Sequence, residues 1–266
     1  MRPTALIYHD ILADGGPDDS GFAGADALSY KLAVTQFHRH LDLIAAALGV
    51  GAPLCLADPA ATTTTGDAVV LTFDDGGASA LTRILPALGA RGWRAHFFVT
   101  SDFIGTKGFA TPAGLRELHT TGHVVGSHSA SHPMRMSHLA HEAIRREWRD
   151  SRARLEDVLG APVTVASVPG GYYSHAVATA AAEAGIRVLF TSEPRRSVAM
   201  VDGIAVVGRF SVTRRTAEGE VVSLASGRRG AALRQRLAWG AKKVVKRLAG
   251  EAWLTARRKF FELGSH

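Results

Sequence analysis

The sequence predicts a parallel α/β fold, built either as a barrel or as an open doubly wound sheet. Short apolar runs recur along the chain, and helix-like stretches separate them. Several runs are apolar without alternation, as expected for strands that are buried on both faces of a sheet. Seven such runs suit a barrel slightly short of eight strands; they are Ala5–His9, Ala68–Phe73, Ala95–Thr100, His123–Ser127, Val163–Val168, Ile186–Thr191 and Ile204–Val212.

Helices are predicted between these runs. Thr35–Leu48 has apolar residues at helical spacing. Ser137–Leu159 begins at a serine that can cap a helix and ends before Gly160. Ser174–Ala184 is rich in alanine and stops at Gly185. Repeated strand–helix units of this length are typical of a parallel sheet.

The composition suits one large domain with an appendage. The chain has 266 residues, of which 46% are apolar, enough for a sizeable core. Cys55 is the only cysteine, which excludes an intramolecular disulfide framework and a cysteine-rich metal site. We find neither a signal peptide nor an apolar stretch of about eighteen residues. The sequence therefore favours a cytoplasmic location, and the tail described next leaves a membrane-peripheral one open.

Positive charge is concentrated near the end of the chain. Residues 228–262 carry eleven Lys/Arg and two Glu, so this segment has a net charge of +9 and the rest of the chain accounts for −2 of the total of +7. We expect a domain at 1–225, a basic amphipathic helical tail at 226–263 and a cloning remnant at 264–266.

Two interpretations of the tail stay open. Its apolar residues recur at helical spacing, at Leu237, Ala241, Val244 and Leu248. The helix either packs on the domain with a solvated basic face, or binds an anionic membrane near a lipid-linked or growing glycan. Nucleic acid is disfavoured as a partner, because the domain itself is close to neutral.

Two adjacent carboxylates follow one of the apolar runs. Asp74 and Asp75 come directly after Ala68–Phe73 and before Gly76. On its own, Asp-Asp-Gly is also a common turn. Burying one charge without a partner is unfavourable, and burying two like charges is worse. A cation beside the pair, or a chemical role for at least one carboxylate, would explain the arrangement.

A pair of histidines completes a set of metal ligands. Pro133 disfavours helical geometry at His132, so His128 and His132 are predicted on a loop after a strand. Two imidazoles and one carboxylate suit a divalent metal and leave a coordination position open. Ser129 and Ser131 are expected to orient the two rings through hydrogen bonds.

Strand ends bring these residues together. In a parallel α/β fold the functional residues gather at the carboxyl ends of the strands. Asp74-Asp75, His128 and Pro169-Gly170 all lie at predicted strand ends. We therefore expect them to share one site.

These motifs resemble the polysaccharide deacetylases, the NodB-homology enzymes of carbohydrate esterase family 4. The resemblance covers roughly residues 5–212, and the opening Tyr8-His9-Asp10 is similar to the branch that acts on exopolysaccharides. The residues that carry it are Thr72-Phe73-Asp74-Asp75-Gly76, His128-Ser129-Ala130-Ser131-His132, Leu155-Glu156-Asp157-Val158-Leu159-Gly160 and Pro169-Gly170-Gly171-Tyr172.

The resemblance implies a deformed (β/α) barrel of about seven parallel strands and an enzyme that removes acetyl groups from N-acetylated amino sugars. It implies that Asp75, His128 and His132 hold a divalent metal, usually Zn²⁺, with Co²⁺, Ni²⁺ and Fe²⁺ as alternatives. By the same analogy, Asp74 is the general base. The backbone N–H of Gly170 stabilises the oxyanion, and Tyr172 provides a wall.

The later motifs depart from the family pattern. Ser167 stands where the family has an arginine that orients the base, and no residue matches the histidine that protonates the leaving amine. His9 and Arg209, both at predicted strand ends, are the candidate replacements for that acid. Two rival interpretations follow: a hydrolase of cyclic amides or ureides on the same fold, and a catalytically degenerate domain that only binds glycan.

Overall fold

One nine-stranded sheet organises the protein, as seen in a computed structural model that describes residues 2–60 and 67–241. A separate two-stranded sheet is formed by β2 and β3. The strands are β1 (Arg2–Tyr8), β2 (Ile11–Leu12), β3 (Leu32–Ala33), β4 (Asp67–Phe73), β5 (His96–Val99), β6 (Val124–Ser127), β7 (Val165–Ser167), β8 (Val188–Phe190), β9 (Val198–Val201), β10 (Ile204–Val207) and β11 (Arg209–Ser211).

The last predicted run closes this sheet into a barrel. Its first half, β10, pairs with β8, and its second half, β11, pairs in parallel with β1. Gly208 lies at the break, where a Cβ atom would come within 2.3 Å of the Arg195 side chain. If β10 and β11 are counted as one strand, the described residues form a ring of seven parallel strands. The additional strand β9 pairs antiparallel with β10. The barrel with about seven parallel strands is confirmed.

Helices follow most of the strands. They are α1 (Ala25–Leu28), α2 (Val34–Leu48), α3 (Leu85–Gly89), α4 (Pro112–Thr120), α5 (His141–Leu159), α6 (His175–Glu183) and α7 (Glu218–Ala225). As predicted, α5 ends before Gly160, which has the left-handed conformation. The side chain of Ser174 caps α6. The predicted start of α5 at Ser137 is wrong, because a short 3₁₀ turn, Met136–His138, precedes a helix that begins at His141.

Side chains alternate between the inside of the barrel and the helix layer. An inner cluster contains one or two apolar residues from most barrel strands: Ala5, Val70, Phe98, Val165, Val188, Phe190, Ala205 and Val207. On β6 the corresponding residue is Gly126, where a Cβ would meet Val165 and Phe98 at 2.7 and 2.9 Å. Leu56 belongs to this cluster and bonds His96 at the start of β5, so it fills the end opposite the strands' carboxyl ends.

The tail is helical from 229 to 241, and the rest of the basic run lies outside the described residues. Gln235 anchors this helix through hydrogen bonds to the backbone N–H and C=O of Ser211, at 3.1 and 3.0 Å. Ala231 is buried, whereas Leu237 is 65% exposed. Leu237 therefore does not pack on the domain. Ala241, the next position of the predicted apolar series, is the last described residue. The remaining two positions, Val244 and Leu248, lie outside the described residues.

Candidate metal centre and active site

The pleat of β4 directs Asp74 into the barrel. Val70 is an inward residue, so Thr72 and Asp74 follow on the same face. Asp74 is 5% exposed. Asp75 has a φ of 77°, and this left-handed conformation turns the chain so that both carboxylates stay at the carboxyl end of the sheet.

The histidine loop also depends on unusual backbone conformations. His128 follows β6, and Ser129 and His132 have φ values of 67° and 58°. Together with Asp75, they make up three of the four non-glycine residues with positive φ among the described residues. Such conformations cost energy and concentrate at functional sites, where the surrounding structure enforces them.

Asp75, His128 and His132 converge on one point. Asp75 Oδ1 lies 3.4 Å from His128 Nε2 and 3.5 Å from His132 Nε2. Ligands bound at 2.0–2.1 Å in a tetrahedron are about 3.3 Å apart, so Asp75 lies at this spacing from both histidines. All three donor atoms lie within 4.8 Å of one another. Across residues 2–60 and 67–241, this is the group of three or more His, Cys, Asp or Glu side chains that could hold a metal ion. The donor set and its spacing fit a divalent cation.

A backbone carbonyl orients the first histidine. His128 Nδ1 lies 3.0 Å from the carbonyl oxygen of Ser167. Because a carbonyl only accepts hydrogen bonds, Nδ1 carries the proton and Nε2 presents its lone pair to the metal position. The expectation that Ser129 and Ser131 orient the rings is wrong. The hydroxyl of Ser129 accepts a hydrogen bond from the backbone of His132, and the hydroxyl of Ser131 donates one to Glu147 on α5.

Glu147 on α5 holds the histidine loop from outside. Its Oε2 accepts hydrogen bonds from the backbone N–H groups of Ala130 and Ser131, and its Oε1 accepts one from the Ser131 hydroxyl at 2.6 Å. Ser129 Oγ accepts the backbone N–H of His132 at 3.0 Å. Glu147 has no motif around it in the sequence, and its role becomes visible only when α5 packs beside the loop.

The charges at the site oppose the effect of burial. Burial raises the pKa of Asp75, but His128, His9 and His132 outweigh it, and the pKa lies below its ordinary value. Burial lowers the pKa of His128, yet the negative charges of Asp74 and Asp75 raise it overall. Burial and the neighbouring His128 lower the pKa of His132 to about 4. Without a metal, an added proton is therefore held more strongly by His128 than by His132, which is neutral near pH 7.

Arg209 pairs with Asp74 inside the barrel. Its Nη1 and Nη2 donate to Asp74 Oδ1 and Oδ2 at 2.7 and 2.8 Å. Burial raises the pKa of Asp74, but the charges of Arg209 and His128 bring it below its ordinary value, so the carboxylate is ionised at neutral pH. Asp74 Oδ2 lies 4.0 Å from His128 Nε2, beside the metal position. Arg209 itself is fully buried.

His9 lies at the edge of the same site. It follows β1 and its ring lies 4.9 Å from the ring of Tyr30. Its Nδ1 is buried without a hydrogen-bond partner in the described part of the chain. It borders a small cavity together with Asp10 and Asp74. The structure thus brings His9 close to the carboxylate pair.

The turn after β7 forms another side of the mouth. Gly170 has a φ of 61°, and a Cβ there would lie 2.7 Å from the Met134 carbonyl, so only glycine fits. Tyr172 follows the turn, half-buried, and its ring meets that of His138 edge-to-face at 6.0 Å.

Two aromatic neighbours of the site were not predicted. The Phe22 ring lies 4.8 Å from the His132 ring. Trp239, on the tail helix, comes within 3.2 Å of the Cβ position of Gly171. Phe22 sits in an irregular loop without a motif, and Trp239 belongs to a segment that the sequence marks as an appendage, so neither carried a signal.

Comparison with known proteins agrees with this geometry. Residues 61–189 match the polysaccharide deacetylase family model. The chain is 28% identical over 126 residues to the putative polysaccharide deacetylase YxkH of Bacillus subtilis, covering 47% of this chain and 45% of that protein. An uncharacterized 30.6 kDa protein of Geobacillus stearothermophilus is 30% identical over 126 residues, covering 47% of this chain and 46% of that protein. The match thus spans about half the length of these curated relatives.

Solved structures share the fold. The Streptococcus pyogenes deacetylase PplD, solved in complex with acetate, has a TM-score of 0.67 at 16% identity, covering 85% of this chain and 98% of that one. IcaB from Ammonifex degensii has a TM-score of 0.66 at 21% identity, covering 84% and 97%. BC0361, a polysaccharide deacetylase from Bacillus cereus, has a TM-score of 0.71 at 17% identity, covering 85% and 69%. The carboxylate and histidine motifs lie inside the matched segment, and the deformed barrel surrounds them, so residues 61–189 form a segment of the polysaccharide deacetylase type, the NodB-homology group of carbohydrate esterases.

Proposed function

We propose that this protein is a metal-dependent hydrolase that removes acetyl groups from N-acetylated amino sugars of a polysaccharide or glycoconjugate. One observation carries the proposal. Asp75 already lies at metal-ligand spacing from both His128 and His132, and the ionised Asp74 lies beside these three residues without belonging to the set. A binding domain would gain nothing from a second buried carboxylate held in this position.

The metal would be Zn²⁺, with Co²⁺, Ni²⁺ or Fe²⁺ as alternatives, held by Asp75, His128 and His132. When bound, it supplies Lewis-acid chemistry that lowers the pKa of water and polarises a carbonyl. Asp74 removes a proton from the attacking water at Oδ2, the carboxylate oxygen nearest to the histidines. The lowered pKa of Asp74 keeps it in the base form.

The substrate carbonyl would be met on the opposite side by the turn after β7. The N–H of Gly170 donates to the oxygen as negative charge develops there. Tyr172 flanks this position. The support is the backbone of Gly170, whose left-handed φ presents the turn at the mouth beside Met134.

His9 protonates the leaving amine in this proposal. It lies close enough for its charge to lower the pKa of both Asp74 and Asp75. Arg209 is not suited to this step, because a guanidinium does not lose its proton in proteins and this one is fully buried on Asp74. His9→Gln should therefore lower kcat and leave Zn²⁺ content unchanged.

The test is acetate release from N-acetylhexosamine oligomers by protein reconstituted with Zn²⁺. We expect turnover by the wild type and a kcat about 10³-fold lower for Asp74→Asn, the range that a general base contributes. Asp157→Asn, a change at an exposed carboxylate on α5, is the matched control and should keep full activity. Equal rates for wild type and Asp74→Asn would remove the proposed base, and ring-opened products from cyclic amides without acetate release would favour the rival hydrolase.

We further propose that the tail helix brings the enzyme to an anionic membrane. In its described part, Leu233 and Leu237 are 54% and 65% exposed, and Arg234 and Arg236 are exposed beside them. This is the pattern of a helix that lies in a membrane interface. Among the residues described, no helix has the length and apolar character needed to cross a membrane.

Sedimentation with vesicles tests the membrane contact. We expect the protein to pellet with anionic vesicles at low salt and not with neutral ones. Leu233→Glu/Leu237→Glu should abolish pelleting while acetate release from soluble oligomers is kept. Equal pelleting of this variant and the wild type would contradict the proposal.

A further inference from the structure

We infer that Arg209 is the residue that positions the base Asp74, and that the last strand of the barrel supplies it in place of Ser167 on β7. The inference rests on the proposed function, since it concerns the base of that reaction. It explains how Asp74 stays oriented although Ser167, at the end of β7, stands where the family has an arginine.

The barrel brings the two positions to the same point. Arg209 continues the inward series Ala205 and Val207 past the break at Gly208, and Ser167 is the inward residue after Val165 on β7. Arg209 Nη2 donates to Ser167 Oγ at 2.5 Å, and Ser167 Oγ donates to Asp74 Oδ2 at 3.2 Å. The arginine, the serine and the base therefore form one closed hydrogen-bonded group.

The guanidinium is fixed on every side. Besides Asp74, it donates from Nη1 to Thr72 Oγ1 at 2.9 Å and from Nε to the Thr191 carbonyl at 3.2 Å. Its central carbon lies 5.5 and 5.9 Å from the rings of Phe98 and Phe190. A planar fork held in this way fixes the rotation of a bidentate carboxylate, which a lysine ammonium does not do.

The small size of Ser167 follows from this arrangement. Since Nη2 of Arg209 already occupies the space 2.5 Å from Ser167 Oγ, an arginine at 167 and an arginine at 209 exclude each other. An arginine placed at position 167 should therefore be able to replace Arg209 as the partner of Asp74. A residue with a merely structural role would not show such an exchange.

The exchange can be tested with Arg209→Ser, Arg209→Lys and the double variant Ser167→Arg/Arg209→Ser, each loaded with Zn²⁺. We expect Arg209→Ser to lower kcat at least 100-fold with KM and Zn²⁺ content little changed, and Arg209→Lys to recover only part of the loss. The double variant should regain at least tenfold over Arg209→Ser. Arg187→Ala, at an exposed arginine paired with Asp58, is the control and should match the wild type.

Two results would overturn the inference. One is a kcat for Arg209→Ser within threefold of the wild type. The other is a folded, Zn²⁺-loaded double variant that is no better than Arg209→Ser. If the single variants do not fold, the double variant alone decides: recovered folding with acetate release supports the inference, and folding without it refutes it.

A second readout separates this inference from the proposed function. Crystal structures of the variants show the Asp74 carboxylate directly. It should be rotated or split between conformers in Arg209→Ser and return to one conformer in the double variant. A wild type that releases no acetate would refute the proposed function, while the Asp74 conformers would still support or refute the role of Arg209.

Discussion

The two halves of the site are built in opposite ways. The metal half consists of Asp75, His128 and His132, which lie on loops, two of them with positive φ, and depend on contacts from Glu147 and the Ser167 carbonyl. The base half consists of Asp74, Arg209, Ser167 and Thr72, which occupy inward positions on or directly after regular strands. The metal half concentrates backbone strain, whereas the base half concentrates buried charge.

This difference shows what stabilises each half. Strained loops hold their ligands only as well as the surrounding hydrogen bonds allow, so ligand spacing should respond to changes outside the site. A buried ion pair depends on its own partners, so the base half should respond to the loss of either charge. Substitutions can test these two sensitivities separately.

The largest expected effect separates metal binding from proton transfer. Asp75→Ala should weaken Zn²⁺ binding by on the order of a hundredfold or more, because it removes one of three ligands. Asp74→Asn, one residue away, should keep the Zn²⁺ affinity within about threefold while its activity falls. Competition with a chelator measures both affinities. Equal loss of metal from the two variants would show that the halves are not separate.

The second prediction concerns the free energy of unfolding of the base half. Arg209→Met should lower it by about 3–5 kcal/mol, because Asp74 is then a buried charge without its partner. The double variant Asp74→Asn/Arg209→Met should recover most of that loss. Urea denaturation of the metal-free proteins measures the coupling. Additive losses in the double variant would contradict a buried ion pair.

Much of this site could be predicted from the sequence because its residues are local. Asp74-Asp75 and His128 with His132 stand next to strand ends, and the parallel architecture alone requires such ends to meet. The sequence predicts the parallel sheet but leaves its closure into a barrel open. Closure requires the predicted run Ile204–Val212 to pair with β8 before Gly208 and with β1 after it. No periodicity in the sequence encodes that division.

The roles that escaped prediction depend on contacts across long separations in the sequence. Arg209 reaches Asp74 over 135 positions. Its place at a strand end predicts a residue of the site, here a proton donor, but not a partner of the base. Glu147 and Phe22 bind the metal half from a helix and an irregular loop. Their side chains have no pattern of their own, because their function arises only from packing.

The third prediction perturbs the metal half from outside. Glu147→Gln should weaken Zn²⁺ binding about tenfold, at the lower end of what second-sphere partners contribute, because an amide cannot accept all three hydrogen bonds of the loop. Asp150→Asn on the same helix, an exposed carboxylate paired with Arg149, is the control. Unchanged Zn²⁺ affinity in Glu147→Gln would mean that the loop holds its own conformation.

The fourth prediction uses pH on the same half. The pKa of His128 is raised in the folded protein, so its proton stabilises the metal-free fold at low pH, and this contribution is lost as pH rises through that pKa. Zn²⁺ needs the neutral ring, so its binding should weaken about tenfold per pH unit below the pKa of His128 and level off above it. Isothermal titration across pH 5 to 8 measures the slope. A flat profile would exclude His128 as a ligand that competes with protons.

The smallest expected effect comes from Phe22, which touches the metal half without a hydrogen bond. Its ring packs on His132 and on Phe103 and Phe109, at centroid distances of 4.8, 4.9 and 5.1 Å. Aromatic pairs of this kind contribute about 0.5–1.5 kcal/mol, so Phe22→Ala should weaken Zn²⁺ binding by roughly three- to tenfold, and Phe22→Tyr should not.

The loop that carries Phe22 should stay in place in this variant. Asp10 accepts a hydrogen bond from Ser20, and Lys31 pairs with Asp18 at 2.5 Å, both independently of the aromatic ring. Any loss of affinity in Phe22→Ala therefore reports on the freedom of the His132 ring and not on loop detachment, which limited proteolysis would reveal. If the affinity is unchanged, the strained backbone at His132 fixes the ring by itself, and the sensitivity of the metal half resides entirely in its hydrogen bonds.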